Sequence, residues 1–184
     1  MVKRPETAPA SVTDILRVTD RTLGSVIESV IGVPPALDVV AQWRPEPPHP
    51  TWVSPPFASD APILARATGY RHDGAELSHN LAFVDLSTVE PEVAEGLQSG
   101  SLNLGQLFLD PGIERYGFEW GEDTDAPALA AEYERLLAGR VSDLRPAAWR
   151  RYVAGIGGTV TFLVIEALPR RTWERVFATP AERG

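Results

Sequence analysis

Cysteine is absent from the 184-residue sequence, and histidine occurs only three times. Without cysteine the chain has no disulfide, no thiolate nucleophile and no cysteine-ligated zinc or iron–sulfur centre. The histidines lack the i, i+4 or HxH spacing of a metal site: His49, His72 and His79. A glycine-rich phosphate loop is also lacking, because the glycines within residues 155–158 form a hairpin turn and not a strand-to-helix cradle. The sequence therefore predicts no metal and no organic cofactor.

Long apolar runs and an excess of positive charge are lacking as well. No run approaches the roughly 18 apolar residues that a membrane span needs, so no membrane partner is expected. The formal net charge is -8, which repels a nucleic-acid backbone unless basic residues cluster. One short cluster is present: Arg145, Arg150, Arg151, Arg170 and Arg171. Nucleic acid is therefore not an expected partner.

The remaining composition is that of an ordinary globular domain. Hydrophobic residues make up 43% of the chain and charged residues 23%. A chain of this length suits one domain rather than two, predicted here for residues 13–180. Residues 1–12 contain no apolar core of a secretory signal, so we expect a frayed tail and a cytoplasmic protein.

Hydrophobic periodicity and turn residues predict helices and strands without regular alternation. Helices are expected at 13–32, ending at Gly32 and kinked near residue 19, and at 91–98, 102–109, 129–137 and 172–177. Strands are expected at 37–43, 63–70, 77–86 and 115–120 and in a hairpin within 149–169. Asp73-Gly74 is a strong hairpin-turn signal. This order favours an α+β fold with a mainly antiparallel sheet and helices on one face.

Residues 44–57 contain six prolines and two aromatic side chains, Trp52 and Phe57. Proline supplies no amide donor and favours extended backbone, so a loop is expected. The segment 45–57 either covers a cavity as a lid or simply packs its aromatic side chains on the core.

A candidate acid ends the last predicted strand. Side chains alternate between faces in extended backbone, which places Val160, Phe162, Val164 and Glu166 on one face. Glu166 ends this apolar row. It lies either in water at the rim of the sheet, or partly buried and able to carry a proton near neutral pH.

Two further features are candidates for anion binding. Gly105, beside Leu104 in the first turn of a short helix, either lets a ligand approach the backbone amides or permits close helix packing. Arg66 lies in an apolar strand, where a buried guanidinium must find an anion or a carbonyl. Arg66 is therefore either a substrate clamp or a salt-bridged structural residue.

Four segments follow a known pattern in order and spacing. They are ILRVTDRTLGSVIESVIGVPPALDVVAQ, ILARATGY, FVDLSTVEPEVAEGLQSGSLNLGQLF and RRYVAGIGGTVTFLVIEALP. Together they resemble the chorismate pyruvate-lyase-like family, whose fold is shared by the ligand-sensing domain of GntR-type repressors. The resemblance implies a buried ligand pocket enclosed between the helices and the sheet.

The resemblance also implies roles for individual residues. Glu166 occupies the position of the catalytic general acid, and the backbone of Leu104 and Gly105 corresponds to amides that hold a ligand carboxylate. Asn80, with His79 beside it, stands where the hydroxybenzoate-forming enzymes have an arginine. The family's PLG proline is replaced by Asn103. The missing positive charge could come from another arginine: Arg66, Arg71, Arg150 or Arg151.

The leading hypothesis is a cofactor-independent carbon–oxygen lyase that removes pyruvate from chorismate or a related compound through Glu166. One alternative keeps the fold and pocket for elimination or cyclisation of a larger, less charged natural-product intermediate. Another is a non-catalytic small-molecule-binding module. In each case the expected partner is a small molecule, and the chain is expected to be a monomer or a homodimer.

Overall fold

The computed structural model describes residues 11–47, 57–122 and 146–177 of the chain. Within these ranges the strands are β1 (Ala36–Trp43), β2 (Ile63–His72), β3 (Ala75–Glu76), β4 (His79–Asp85), β5 (Ile113–Glu122), β6 (Pro146–Ile156) and β7 (Thr159–Pro169). The helices are α1 (Val12–Arg17), α2 (Leu23–Ile31), α3 (Pro91–Ser99), α4 (Leu104–Leu107) and α5 (Arg170–Phe177). No helix in these ranges is long and apolar enough to cross a membrane.

The strands form one sheet that is antiparallel at each described pairing. Its order is β1-β2-β4-β7-β6-β5, and the short β3 pairs with β2. Helices α3 and α4 pack over the middle of one face, around Tyr152 and Phe162. Helices α1, α2 and α5 pack over the end of the same face, around Trp173 and Leu168. The predicted α+β fold with a mainly antiparallel sheet and helices on one face is confirmed.

The turn between β2 and β3 is built as the sequence predicts. Asp73 and Gly74 both have positive φ, at 47° and 77°, and the flanking residues Arg71 and His72 pair with Glu76 and Ala75. Two consecutive left-handed residues match the twist of an antiparallel pair, and glycine enters this region without steric cost. The turn therefore sets the register of β2 with β3.

Replacing Gly74 with alanine is expected to lower the free energy of unfolding by about 1 kcal/mol, because a Cβ disfavours positive φ. Gly74→Asn is the control, since asparagine tolerates left-handed backbone. It should lose less stability than the alanine variant. Urea unfolding of the three proteins measures the difference, and an alanine variant as stable as the parent would contradict this account of the turn.

The predicted first helix is divided into two. Helix α1 ends at Arg17, and α2 begins at Leu23, so the expected kink is a complete break. Ser11 and Thr22 are the N-caps, and their side chains accept from the amides three residues further on. Gly32 ends α2 with φ of 82°, as expected of a helix terminus.

A β-bulge in β7 changes the face of the sheet on which one side chain lies. The pairing of β6 with β7 shifts between Ala154 and Gly155, and Thr161 is the extra residue of β7. Val160 consequently packs with Leu163 on the opposite face, while Phe162 packs under the helices. The prediction that Val160 shares a face with Phe162 is therefore wrong, because alternation does not continue through a bulge.

Some predictions lie outside the described residues. These are the helix at 129–137, the central part of the proline-rich segment at 48–56 with its Trp52, the tail at 1–10, and Arg145. Phe57, at the end of the proline-rich segment, is buried in the core on the face opposite the helices.

Candidate functional site

A pocket lies between the sheet and helices α2 and α4. Its atom-free space, including the opening to solvent, is about 530 Å³. Its apolar lining is Leu23, Leu37, Ala82, Leu104, Phe108 and Val164. Its uncharged polar lining is Thr22, Thr68, Tyr70, Asn80, Asn103, Gly105 and Tyr152. Its charged lining is Arg66, Arg115 and Glu166.

The base of the pocket is a row of side chains that crosses four neighbouring strands. Thr68 of β2 pairs with Asn80 of β4, and Asn80 pairs with Glu166 of β7. Glu166 in turn pairs with Arg150 of β6. Residues in register on adjacent strands point to the same face of a sheet. Antiparallel pairing therefore brings together four polar residues that are far apart in sequence.

Glu166 is buried, with 7% of its surface exposed, and its position at a solvated rim is excluded. Its Oε2 accepts from Nε of Arg150 in a short charge-assisted contact. Its Oε1 lies 3.4 Å from the hydroxyl of Tyr152, which donates to it. Both oxygens therefore accept, which leaves this carboxylate in the role of a charge partner in the wall of the pocket.

Arg150 connects that carboxylate to the break between α1 and α2. The guanidinium is fully buried, and its Nη1 donates to the carbonyls of Leu16 and Val18 at 2.9 and 2.6 Å. These carbonyls belong to the end of α1, which has no helical amides left to satisfy them. The side chain of Arg150 thus donates both to carbonyls at the end of α1 and to the carboxylate of Glu166 on β7.

A second arginine binds the rest of the segment that connects α1 to α2. Arg115 of β5 donates to the carbonyls of Thr19 and Arg21 at 2.7 and 3.1 Å. Trp120, also on β5, donates from Nε1 to the carbonyl of Leu16 at 2.9 Å. The connection between α1 and α2 therefore has a defined path, and Thr22 at its end reaches the pocket.

Arg66 differs from these two arginines in its partners. It is 2% exposed, and its Nη1 donates to the carbonyl of Leu102 at 2.6 Å. Its Nε has no hydrogen-bond acceptor, and no carboxylate within the described residues forms an ion pair with it. Burial lowers the pKa of Arg66, because desolvation disfavours the charged form. Arg66 is therefore a buried cation without an acidic partner on a wall of the pocket.

Asn80 is 9% exposed, and its Nδ2 donates to Oγ1 of Thr68 at 3.4 Å. No residue in the described part of the chain donates to its Oδ1. Asn80 thus places a buried acceptor without a donor, among the described residues, beside Glu166. The charge that this position lacks is present at Arg66 and Arg115 instead.

The negative charge of Glu166 raises the pKa of two tyrosines that line the pocket. Burial and the negative charge of Glu166 raise the pKa of Tyr70 to about 12, partly offset by its hydrogen bond with the backbone of Gly24. The same two causes raise the pKa of Tyr152 well above its usual value, partly offset by Arg150 and Arg115. Both hydroxyls therefore keep their protons, and the field of Glu166 extends across the pocket.

The short helix α4 brings Leu104 and Gly105 to the pocket, where the resemblance places ligand-binding amides. The amide of Gly105 donates to Oδ1 of Asn103 at 2.9 Å. Asn103 therefore occupies this amide with a side-chain cap. The role of the Leu104 amide in ligand binding stays a prediction.

Three other candidates lie away from the pocket. His79 is adjacent in sequence to Asn80, so its side chain points to the opposite face, beside Ala167. Arg151 is offset from Arg150 in the same way and lies 3.5 Å from Glu119. Arg71 bridges Asp38 and Glu76 near the turn. The expected site role of His79 is not supported, because alternation separates it from Asn80.

The pocket contains residues that sequence reasoning missed. Arg115 and Tyr152 lie on strands that were predicted, but nothing local indicated which side chains point inward. Tyr70 ends the predicted strand at 63–70, two residues after Thr68 and four after Arg66, so period-two spacing could have identified it. Phe108 was inside a predicted helix without an expected orientation.

Comparisons with known proteins support the fold. No family model matches the sequence, and no curated protein matches it either. The structure is similar to PhnF from Mycobacterium smegmatis, with a TM-score of 0.54 and 15% identity over 80% of this chain and 63% of PhnF. At this identity the likeness shows the fold alone, and this chain matches less than two thirds of PhnF.

Two similar structures are described as parts of regulators. One is the ligand-binding domain of a protein described as a GntR-family transcriptional regulator from Bordetella bronchiseptica, with a TM-score of 0.47 and 9% identity over 74% of this chain and 85% of that one. The other is the C-terminal domain of the histidine utilization repressor from Pseudomonas syringae pv. tomato, with a TM-score of 0.47 and 13% identity over 74% of this chain and 92% of that one.

The prediction of a carbon–oxygen lyase is wrong. The similar structures reported above are regulator domains and PhnF, and none of them is described as a lyase. The geometry of Glu166 agrees with this correction. A general acid must present a proton to its substrate, whereas both oxygens of Glu166 accept from Arg150 and Tyr152.

Proposed function

We propose that the protein is a non-catalytic small-molecule-binding module whose ligand carries an anionic group. The observation that carries this proposal is the buried guanidinium of Arg66, which lines the pocket and has no carboxylate partner among the described residues. Leaving a charge buried without a partner costs several kcal/mol. An anionic ligand would supply the missing partner and would regain much of that cost on binding.

The balance of charge around the pocket favours the same ligand. Two arginines and one carboxylate line it, namely Arg66, Arg115 and Glu166. Arg150 lies directly behind Glu166 and forms an ion pair with it, which adds a third positive charge to the surroundings. The surroundings of the pocket are therefore net positive, although the whole chain has a formal net charge of -8. Burying an anion here costs less than elsewhere in an acidic protein.

The three arginines around the pocket differ in the acceptors that their guanidinium groups already bind. Arg115 and Arg150 spend donors on backbone carbonyls of the α1–α2 connection, which fixes their heads in place. Arg66 has one such contact, at Leu102, and its Nε has no acceptor among the described residues. Nη2 of Arg150 is also unpaired there, but Arg150 already has the carboxylate of Glu166 and does not line the pocket. A guanidinium can bind a carboxylate through two donors at once. Arg66 is therefore the group that we assign to the ligand's anionic end.

The Arg66→Gln variant is expected to bind small carboxylic acids at least tenfold more weakly than the parent, since a charge-assisted hydrogen bond contributes about 1.5–3 kcal/mol. Isothermal titration calorimetry with benzoate, phenylacetate and cyclohexanecarboxylate measures this loss. Benzyl alcohol, a neutral analogue of benzoate, should bind more weakly than benzoate to the parent protein. Nuclear magnetic resonance should show each acid unchanged after prolonged incubation.

Arg71→Gln is the matched control, because Arg71 lies on the same strand and pairs with Asp38 and Glu76 away from the pocket. It should leave the affinity for benzoate unchanged. The proposal would be overturned if none of the three acids binds, if benzyl alcohol binds as tightly as benzoate, or if Arg66→Gln keeps the parent affinity.

A further inference from the structure

Resting on the proposed function, we infer that the ligand also carries a hydrogen-bond donor, an ammonium or a hydroxyl group, separate from its anionic group. The acceptor for this donor is Oδ1 of Asn80. The ligand class is therefore a small acid with a compact apolar body and a separate donor group, and Asn80 determines the selection of that donor.

The first support is the unmet acceptor on Asn80. The side chain is 9% exposed and lines the pocket. Its amide nitrogen donates to Oγ1 of Thr68, and no donor within the described residues reaches Oδ1. The great majority of buried carbonyl oxygens in proteins accept a hydrogen bond. A buried oxygen without a donor loses its hydrogen bonds to water and gains none in return. A donor on the ligand would remove this deficit.

The second support is the charge beside that acceptor. Glu166 pairs in register with Asn80 on the adjacent strand, so the two side chains are direct neighbours on the pocket face. Oε1 of Glu166 receives one long contact of 3.4 Å, from the Tyr152 hydroxyl. Two acceptor oxygens on neighbouring strands favour a donor group, and favour it more if the group is positive. They disfavour a second anion at this end.

The third support is the position of Arg66 relative to Asn80. Arg66 pairs with Ala82, two residues further along β4 than Asn80. Its head turns towards the carbonyl of Leu102, at the connection that leads into α4. The cation is thus displaced towards α4, while Asn80 and Glu166 lie at the base of the sheet.

Apolar surface lies beside both groups. Ala82 and Val164 pair with each other on adjacent strands and line the pocket, as does Phe108 at the end of α4. The pocket therefore presents a cation, an acceptor and an apolar wall. A complementary ligand has an anion, a donor and an apolar body.

Three benzoates that differ at one heavy atom test this inference by calorimetry on the full chain. They are 4-ethylbenzoate, 4-(hydroxymethyl)benzoate and 4-(aminomethyl)benzoate, which share their size and their carboxylate. At least one of the two donor compounds is expected to bind roughly tenfold more tightly than the ethyl compound, the preference expected for one satisfied buried hydrogen bond. The tighter of the two identifies the donor as hydroxyl or ammonium.

Asn80→Leu should remove this preference, so that the three compounds bind alike. Asn80→Asp keeps the shape and adds a negative charge, and it should favour the aminomethyl compound further. Arg71→Gln is the matched control: Arg71 forms its ion pairs with Asp38 and Glu76 away from the pocket, so this variant should keep the preference. Thermal unfolding establishes that each variant is folded, and Asn80→Asp carries the test if the leucine variant is not.

Equal affinities of the three compounds for the parent protein would overturn the inference, as would a preference that survives in Asn80→Leu. Either result leaves the proposed function standing if 4-ethylbenzoate binds in an Arg66-dependent manner. Loss of binding for all three compounds would instead overturn the proposed function itself.

Discussion

Replacing Arg150 with methionine is expected to lower the free energy of unfolding by about 3–5 kcal/mol, the usual cost of removing one partner of a buried ion pair. Arg150 is fully buried, and its removal leaves the carboxylate of Glu166 without its cation. It also removes the Arg150 donor from the carbonyls of Leu16 and Val18, of which Leu16 keeps its hydrogen bond from Nε1 of Trp120. Urea unfolding followed by circular dichroism measures the loss.

Arg71→Met is the control for this experiment. Arg71 forms its ion pairs on a half-exposed surface, where such a pair contributes at most about 1 kcal/mol. The double variant Arg150→Met/Glu166→Leu tests the cause, because it removes both charges together. It should be more stable than the sum of the two single losses predicts. A loss below about 1 kcal/mol for Arg150→Met would refute the central position of this pair.

Replacing Trp173 with alanine is expected to cost about 3–5 kcal/mol, since it removes a large, fully buried side chain from the core. Trp173 of α5 has no exposed surface and stacks on Phe177 with ring centroids 5.8 Å apart. Its Nε1 donates to the carbonyl of Leu77 at 2.7 Å. This side chain therefore fastens α5 to the segment between β3 and β4.

Trp173→Phe separates packing from the hydrogen bond. Phenylalanine keeps a ring in the core but leaves the Leu77 carbonyl unpaired, so a smaller loss of about 1–3 kcal/mol is expected. Thermal unfolding of both variants gives the comparison. If the alanine variant lost no more than the phenylalanine variant, the packing of this ring would not support the core as described.

The ion pair of Glu166 with Arg150 also bears on how the pocket is joined to the rest of the fold. Glu166 lines the pocket, while Arg150 behind it holds the break between α1 and α2. Arg115 lines the pocket and holds the same break directly. The polar walls of the pocket and the placement of the two N-terminal helices thus depend on the same two arginines.

Much of the fold could be predicted because its signals are local. The pair Asp73-Gly74 predicts the turn because Asp-Gly readily adopts positive φ at both residues, as it does here. Gly32 in the same way predicts the end of α2. The order of hairpins and helix clusters then favours an antiparallel sheet with helices on one face. The bulge at Thr161 was not predictable, because it depends on how β7 pairs with β6 and not on β7 alone.

The candidate site was predictable only in part. Glu166, Asn80 and Arg66 could be selected as unusual polar residues within apolar strands, and all three line the pocket. Their partners could not be selected. Arg115 reaches its carbonyl acceptors 94 and 96 residues away in sequence, and no periodicity links positions at such separations.

The sequence by itself determined which segments become strands and helices, that no cysteine chemistry is available, and which strand positions carry buried polar groups. Only the tertiary structure decided what those groups do. Pairing across four strands turned Glu166 from a candidate acid into the partner of Arg150, and left Arg66 as the buried cation without an acid within the described residues. The physical reason is that backbone preference is set by neighbouring residues, whereas the charge state and the free donors of a side chain depend on distant residues that folding brings within a few ångströms.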